Sequence, residues 1–226
     1  MIKWSDLPKE LQVEEVKEYY DILQNHRAGL IAKRIFDIIV AGVLLIVLSP
    51  ILLVLSIIIK LDSEGPVMFR QVRVTRYGKK FRIFKFRTMV NHADKIGTQV
   101  TTKGDARVTR VGHFLRKCRL DELPQLFNIL SGDMTFVGTR PEVEKYVAYY
   151  TNEMKATLLL PAGVTSIASI EYKDEERLLE NAEDAGEVYI KQVLPEKMKY
   201  NLKAIREFSF WKDIKTMFAT VKAVLK

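Results

Sequence analysis

The chain has 226 residues, of which 48% are hydrophobic, so it can build a core of ordinary size. Its formal net charge of +8 is unevenly placed: residues 60–120 contain sixteen basic and four acidic side chains, a net +12, whereas residues 1–34 contain six of each. This basic block predicts an anionic partner, which could be nucleic acid, anionic lipid or a phosphate-rich substrate. Cys118 is the sole cysteine, which excludes an intrachain disulfide and favours a reducing compartment.

The N-terminal segment, from Ser5 to about Arg27, is typical of an amphipathic helix because its apolar residues recur at helical spacing. Its apolar face could pack on the rest of the chain, on a second copy of the chain or on a membrane surface. Thirty mostly polar residues precede the first long apolar run, so we do not expect a signal peptide.

An apolar run of twenty-five residues, from Ile35 to Ile59, is the strongest physical signal in the sequence. As a straight helix rising about 1.5 Å per residue it would reach roughly 37 Å, which exceeds a bilayer core of about 30 Å. The run therefore predicts a membrane segment, and a fully buried helix of a soluble protein is the weaker alternative.

Three features of this run complicate a simple crossing. Pro50 lies inside it, where it kinks or breaks a helix, and Ser49 can satisfy part of the freed backbone. Asp37 lies at its N-terminal end, close behind Lys33 and Arg34, and basic residues flank both ends, so charge gives no orientation. These features are compatible both with a kinked crossing and with a helix–break–helix hairpin that enters and leaves one leaflet.

The basic block begins with alternating apolar and basic residues from Val67 to Val90, arranged around Gly78, which predicts a strand, a turn and a second strand. Interleaved Arg, Lys and Phe could form a nucleic-acid platform, or equally a cationic face at a membrane. Residues 91–109 are polar and predict a loop, and Val111–Lys117 predicts a short helix.

The C-terminal half is helical in pattern. We predict a helix over Val143–Leu160 that ends at Pro161, two helical pieces over Tyr172–Met198 that are separated at Pro195, and an amphipathic helix over Tyr200–Leu225. The apolar face of the last helix could pack in the core, or it could dock Phe210 and Trp211 at a membrane interface.

Two adjacent carboxylates, Asp121 and Glu122, follow three cations at Arg116, Lys117 and Arg119. One interpretation is structural: Asp121 caps a helix and the arginines answer both charges. The other is chemical, since a carboxylate among cations can attack phosphorus, and a second carboxylate beside it tends to acquire a raised pKa and act as acid or base.

Further cations could complete an anion site. Lys85 and Arg87 alternate onto one face of a strand, and Arg140 follows Gly138, which would let backbone approach an anion. The sequence has no zinc, Walker or dinucleotide-binding motif, so a single Mg²⁺ on a carboxylate that also contacts substrate phosphates is the metal chemistry that fits.

These segments together resemble the bacterial sugar transferases, the small monotopic phosphoglycosyl transferases. The resemblance covers about Lys33 to Val224 and rests on four segments in family order: KRIFDII…LSPILL, FRQVRV…GKKFRIFKFRTM, TRVGHFLRKCRLDELPQLFNILSGDMTFVGTRPE and FSFWKDIKTMF. The third segment is long and specific. Only the N-terminal helix lies outside the resemblance.

The resemblance implies a two-step transfer. Asp121 would attack the β-phosphorus of a UDP-sugar, expel UMP and hold the sugar-phosphate covalently, and Glu122 would assist its transfer to a polyprenyl phosphate, with undecaprenyl phosphate as the expected form. Lys85, Arg116 and Arg140 match phosphate-binding positions, and Asp121 matches the position associated with Mg²⁺.

The resemblance also implies the topology. Ser49 and Pro50 match the break that makes the membrane helix re-entrant, with Lys33, Arg34 and Asp37 near its polar end. We therefore expect an α+β, mostly helical protein with three parts: an N-terminal helix (1–32), a re-entrant hairpin (33–60), and one compact catalytic domain with a small β-hairpin and an amphipathic C-terminal helix (61–226). It would lie in one leaflet of the bacterial inner membrane, with the catalytic domain on the cytoplasmic side and no nucleic acid partner, and the N-terminal helix could support a homodimer.

Three positions depart from the family pattern. Thr139 replaces the proline that commonly precedes the Arg-Pro pair, the turn at Pro161–Ser166 is shifted by one residue, and Asn201 replaces a carboxylate, which leaves no charge there. Residues 91–105 and 167–177 are candidates for sugar discrimination. The competing hypothesis is a non-catalytic membrane-anchored module that binds nucleic acid or anionic lipid through the basic block.

Overall fold

The computed structural model describes residues 1–91, 93, 105–172 and 184–224. Helices predominate, with two small sheets between them, as expected for a mostly helical α+β protein. The helices in this part of the chain are α1 (Glu14–Asn25), α2 (Arg27–Asp62), α3 (Arg110–Lys117), α4 (Gln125–Ser131), α5 (Glu144–Val147), α6 (Ile167–Glu171), α7 (Ala185–Val188), α8 (Leu194–Arg206) and α9 (Phe210–Val224). The strands are β1 (Met68–Val74), β2 (Lys80–Phe86), β3 (Met134–Val137) and β4 (Ala162–Thr165).

The N-terminal helix begins later than predicted. Two short 3₁₀ turns, Trp4–Asp6 and Lys9–Leu11, precede α1, because Pro8 disfavours helical backbone at Leu7, which is extended (φ −66°, ψ 151°). The apolar face of this segment packs inside the chain, against α8 and the 3₁₀ turn Met154–Leu159. Of the three predicted uses of this face, the structure shows packing on the rest of the chain.

The apolar run forms the centre of α2, a helix of 36 residues. One side of α2 packs on the rest of the protein through Ala41, Leu55 and Ile59, whereas its other side exposes a continuous row of Ile, Leu and Val side chains. Within the described residues α2 is the one helix long and apolar enough to cross a membrane, by length and composition. An exposed apolar surface of this extent marks a membrane or protein contact.

Helical structure continues through Pro50, so α2 is one helix and the predicted break is not an interruption of the helix. A proline cannot donate a hydrogen bond to the carbonyl four residues earlier, which here belongs to Ile46. The hydroxyl of Ser49 donates to that carbonyl instead, at 2.8 Å. The predicted role of Ser49 is thereby confirmed, and its bond satisfies the carbonyl that Pro50 leaves without a partner.

The predicted basic hairpin is present. β1 and β2 pair antiparallel from Met68↔Phe86 to Val74↔Lys80. Tyr77 and Gly78 in the turn between the strands have positive φ angles of 61° and 74°. Phe81 and Ile83 face the core against α2 and α4, which places the same face of β2 toward the Asp121–Glu122 region.

The second sheet was not predicted in full. β4 lies in the segment expected as a turn after a helix, and it pairs in parallel with β3. The predicted helix over Val143–Leu160 is also wrong, because this segment contains only α5 and a 3₁₀ turn. Tyr146 and Tyr150 reach a buried cluster with α8 without a continuous helix between them.

The boundaries of the last helices agree with the prediction in part. Pro195 lies in the first turn of α8, and a π-helical turn, Tyr189–Val193, directly follows α7 and precedes α8, so the helical segment is divided beside Pro195 as predicted. The helix predicted over Tyr200–Leu225 is divided at Glu207–Ser209 into α8 and α9. The apolar residues of α8 enter the core, whereas Trp211 and Phe218 on α9 are 71% and 73% exposed. Core packing is therefore shown for α8, whereas docking of α9 at a membrane stays a prediction. Most of the stretch between Tyr172 and α7 lies outside the described residues.

Candidate active site

Asp121 and Glu122 lie in a 3₁₀ turn, Leu120–Glu122, that joins α3 to α4. The chain enters this turn through Arg119, which has a left-handed backbone (φ 56°). Asp121 does not cap a helix: α4 begins four residues later, and no side chain bonds its first amides. The capping interpretation is therefore wrong, and the chemical interpretation of the carboxylate pair remains.

Glu122 is the centre of a group of cations from three parts of the chain. Lys85 Nζ at the end of β2 donates to Glu122 Oε1 at 3.0 Å, and Arg140 Nη2 donates to the same oxygen at 2.5 Å. Arg140 Nη1 lies 3.4 Å from Oε2, and Arg119 Nη1 lies 4.0 Å from Oε1. The fold thus brings Lys85 and Arg140 together on one carboxylate, as the sequence could only suggest.

Asp121 is 8% exposed, and its carboxylate has no hydrogen bond or ion pair with the residues that the structure describes. Its oxygens are not sealed in the protein, because they are absent from the fully buried unpaired polar atoms of the described chain. Asp121 therefore presents an open carboxylate to a cleft, beside a carboxylate that is already engaged.

The two carboxylates have opposite pKa shifts. Burial, together with the charge of Glu122, raises the pKa of Asp121, although Lys85, Arg116 and Arg140 act in the other direction. Burial alone would also raise the pKa of Glu122, but Arg140, Lys85 and Arg119 hold that pKa well below its usual range. Glu122 is thus the stable anion of the pair. The sequence predicted that one pKa would be raised, and the structure assigns that shift to Asp121.

The pair lines a cleft of about 1530 Å³. One part of the cleft is charged and contains Lys85, Arg116 and Arg140 beside the carboxylates. Another part is apolar and reaches α2 at Leu44 and Leu48. A space with a cationic part and an apolar part that extends to the exposed membrane-type helix can accommodate a phosphate attached to a lipid.

Arg116 and Arg87 have different surroundings. Arg116 Nε donates to Thr88 Oγ1 at 2.9 Å, and its charge lowers the pKa of Asp121, so it belongs to the charged part of the cleft. Arg87 is 5% exposed, and its terminal nitrogens donate to the carbonyls of Ile59, Ser63 and Pro66 rather than to the carboxylates. The Arg87 guanidinium therefore connects the end of α2 to the end of β2 and, contrary to the prediction, does not join the phosphate-binding cations.

The charged residues Lys33, Arg34 and Asp37 near the start of α2 have partners within the protein. Lys33 Nζ donates to Val137 O at 2.8 Å, and Arg34 Nη1 donates to Ile129 O at 2.7 Å. Asp37 is 2% exposed and accepts a bond from Thr135 Oγ1 at 2.6 Å. All three hold α2 against the segments next to the carboxylate pair.

Two residues of the site region were missed by sequence reasoning. Asn128 is buried within α4 and completes the edge of β2, because its Oδ1 accepts from Phe84 N and its Nδ2 donates to Arg82 O, both at 2.9 Å. Glu142 is buried, and its carboxylate accepts a hydrogen bond from Tyr189 Oη and lies 4.0 Å from Lys197 Nζ. A lone amide in the apolar turn LFNIL was the available signal for Asn128.

The structure gives the contacts of two positions that depart from the family pattern, Thr139 and Asn201. Thr139 O accepts a hydrogen bond from Gly163 N at 2.8 Å, so β4 holds the backbone just before Arg140. Asn201 is buried on α8, where its Nδ2 lies 3.8 Å from Met198 Sδ. Most of 91–105, and 173–177 of the second candidate segment for sugar discrimination, lie outside the described residues.

A divalent cation would have one carboxylate to bind here. The described residues contain no cluster of three or more His, Cys, Asp or Glu side chains that could hold a metal. Mg²⁺, however, commonly uses one or two carboxylates together with substrate phosphates and water. The open carboxylate of Asp121 in a cleft lined by cations fits that donor set, whereas Glu122 is occupied by Lys85 and Arg140.

Comparisons with known proteins identify relatives of this chain. The chain is 37% identical over 196 residues to a UDP-N-acetylgalactosamine-undecaprenyl-phosphate N-acetylgalactosaminephosphotransferase of Aeromonas hydrophila, covering 85% of this chain and 43% of that protein. It is 39% identical over 197 residues to a UDP-glucose:undecaprenyl-phosphate glucose-1-phosphate transferase of Klebsiella pneumoniae, covering 85% and 40%. The chain thus spans about two fifths of the length of these two relatives.

A shorter relative matches over most of its own length. A putative undecaprenyl-phosphate N-acetylgalactosaminyl 1-phosphate transferase of Bacillus subtilis is 38% identical over 152 residues, which is 67% of this chain and 84% of that protein. The family model described as bacterial sugar transferase matches residues 28–226, so it leaves α1 outside and includes the whole cleft. From this match and from the carboxylate pair that it contains, we conclude that the chain belongs to the bacterial sugar transferase family.

Proposed function

We propose that this protein transfers a sugar-1-phosphate from a UDP-sugar to undecaprenyl phosphate, giving undecaprenyl diphosphate-sugar and UMP, as the first membrane step of glycan assembly. The observation that carries the proposal is the open Asp121 carboxylate beside Glu122, which pairs with Lys85 and Arg140 in a cleft that reaches α2. The names of the relatives support these two substrates.

In the first step, an Asp121 oxygen attacks the β-phosphorus of the UDP-sugar. The bond between that phosphorus and the bridging oxygen breaks, UMP leaves with the bond electrons, and an aspartyl sugar-phosphate forms. In the second step, a phosphate oxygen of undecaprenyl phosphate attacks the same phosphorus and releases the Asp121 carboxylate. Atoms and charges balance over the two steps without an oxidant or reductant.

The cations supply electrostatic stabilisation. Lys85, Arg116 and Arg140 line the charged part of the cleft, where they offset negative charge on the diphosphate and on the pentavalent transition state. When bound at Asp121, Mg²⁺ would offset further charge on the same phosphates. Glu122 holds Lys85 and Arg140 in the absence of substrate, and these two cations exchange Glu122 for phosphate as substrate binds.

A screen for UMP release tests this function. Purified protein with Mg²⁺, undecaprenyl phosphate and a panel of UDP-sugars is expected to release UMP with at least one sugar. Asp121→Asn and Asp121→Ala should abolish release, because each removes the nucleophile, while thermal melting in detergent remains close to wild type. Normal UMP release by Asp121→Ala would refute the aspartyl mechanism. A non-catalytic module would release no UMP, and its binding to anions would fall steeply with salt but survive Asp121→Asn.

We further propose that α2 bends at Pro50, although its helical structure is not interrupted there, so that it enters and leaves one leaflet, and that the catalytic domain lies on the cytoplasmic side of the bacterial inner membrane. Contacts of both halves of α2 with the catalytic domain, through Ala41 in one half and Ile59 in the other, support this topology. The exposed Trp211 and Phe218 on α9 supply a second apolar surface. Tags at the two ends of the chain should be accessible from the same side in intact cells. Labelling from opposite sides would refute the re-entrant arrangement.

A further inference from the structure

Three charged side chains meet between the start of α2, β3 and α9. Lys33 and Asp37 from α2 are 6% and 2% exposed, and the Asp213 side chain of α9 is 19% exposed. Lys33 Nζ donates to Asp213 Oδ2 at 2.5 Å. Burying charges is unfavourable unless each has partners with good geometry, so this cluster depends on the exact placement of its partners.

Those partners lie on three consecutive residues of β3. Asp37 Oδ2 accepts from Thr135 Oγ1 at 2.6 Å, and Asp37 Oδ1 accepts from Phe136 N at 3.3 Å. Lys33 Nζ donates to Val137 O at 2.8 Å. A shift of β3 along α2 by one residue would leave a buried ammonium and a buried carboxylate without these bonds. The two side chains therefore fix the register of β3 on α2.

The strand continues directly to Arg140, which is three residues after Val137. The connecting backbone is held from the other side by β4, since Gly138 N donates to Thr165 O at 2.9 Å and Gly163 N donates to Thr139 O at 2.8 Å. The segment thus runs between α2 side chains and β4 backbone until it presents the Arg140 guanidinium to Glu122.

We propose that Lys33 and Asp37 are positioning residues, which act through β3 to set the position of Arg140 in the active site. They do not contact substrate. Their effect is to make the membrane-facing helix and the phosphate-binding arginine one rigid unit. This inference rests on the proposed function, because it assigns Arg140 to a diphosphate.

A double-mutant cycle on UDP binding tests the inference. Lys33→Met, Arg140→Gln and the double variant are compared with wild type by calorimetry in detergent. We expect Lys33→Met to weaken UDP binding about ten-fold in the wild-type background and less than about two-fold in the Arg140→Gln background, because a misplaced arginine matters only where the arginine exists. Additive effects, or wild-type affinity in Lys33→Met, would overturn the inference. A wild-type protein that does not bind UDP would overturn the proposed function as well.

Two buried threonines provide a matched comparison that does not remove a charge. Thr135 donates to Asp37, whereas Thr157 donates to Met154 O at 2.7 Å in a 3₁₀ turn packed against α1. Thr135→Val and Thr157→Val each remove one hydrogen bond from a buried hydroxyl and should lower the melting temperature similarly. We expect only Thr135→Val to weaken UDP binding, by about three-fold. Equal UDP affinities of the two variants would show that Thr135 is structural only, against the inference.

Discussion

At the scale of single residues, Glu122 pairs with the cations that would otherwise bind a substrate phosphate. Its carboxylate binds Lys85 and Arg140, the same cations that we assign to the diphosphate. The low pKa of Glu122 follows from these partners, which outweigh the effect of burial. Substrate binding must therefore compete with an internal anion, which makes the affinity for UDP a direct measure of this competition.

Glu122→Gln should tighten UDP binding about three- to ten-fold, because a neutral amide no longer competes for Lys85 and Arg140. UMP release should nevertheless fall at least about ten-fold, because a side chain assigned to the reaction has lost its charge. Calorimetry with UDP and the UMP assay measure the two effects separately. Weaker UDP binding by Glu122→Gln would show that Glu122 orders the cations for substrate rather than competing with it.

Residue identity predicted part of this site and misled at one position. Asp121, Glu122, Lys85 and Arg140 are together in the structure because β2, the 3₁₀ turn and β3 converge there. Arg87 was grouped with Lys85 by strand alternation, but β2 ends at Phe86, and Arg87 turns to the carbonyls after α2. Alternation is informative only within the strand, and the end of a strand depends on what covers it.

At the scale of elements, the small parallel sheet supports Arg140 through an unusually close approach of two glycines. A Cβ on Gly163 would lie 2.1 Å from Gly138 O, which no folded backbone tolerates. Gly138 was expected to let backbone approach an anion, but a Cβ on it would lie 3.0 Å from Pro161 O, 3.1 Å from Thr135 Cγ2 and 3.2 Å from Gly163 N. The two glycines allow β3 and β4 to converge just before the arginine.

Gly163→Ala should separate the strands, lower the free energy of unfolding by about 3 kcal/mol or more and reduce UMP release, since overpacked cores typically lose 1–3 kcal/mol even without a backbone clash. Gly42→Ala is the matched control, because a Cβ on Gly42 has no neighbour within 4 Å. In a helix that change should be neutral or stabilising by about 0.5–1 kcal/mol. Thermal melts in detergent compare the two, and equal melting temperatures would contradict the close approach.

At the scale of the whole molecule, four buried clusters hold together the part of the chain that the structure describes. Two of them lie along α2 and support the cleft, one surrounds Tyr146 and Tyr189, and one joins α1 to α8. The last cluster lies against the part of the chain that the family model leaves out, since the match begins at residue 28. The N-terminal segment is therefore a brace on the catalytic domain.

Leu23→Ala tests this brace, because Leu23 is fully buried between α1 and the catalytic domain. Removing a buried leucine side chain should lower the free energy of unfolding by about 2–4 kcal/mol. Leu53→Ala on the exposed face of α2, where Leu53 is 63% exposed, should leave the thermal melt in detergent almost unchanged. If Leu23→Ala melted like Leu53→Ala, α1 would not be part of the folded core in solution.

The sequence by itself determined the family, the apolar helix, the basic hairpin and the identity of the carboxylate pair, because these depend on local composition and spacing. Only the tertiary structure decided which cations meet Glu122, why Asp121 stays open, and that Lys33 and Asp37 bind β3. The physical reason is that pairing and burial depend on contacts between distant residues. The predicted helix over 143–160 was wrong for the same reason, because tertiary packing rather than sequence periodicity determined the secondary structure of this segment.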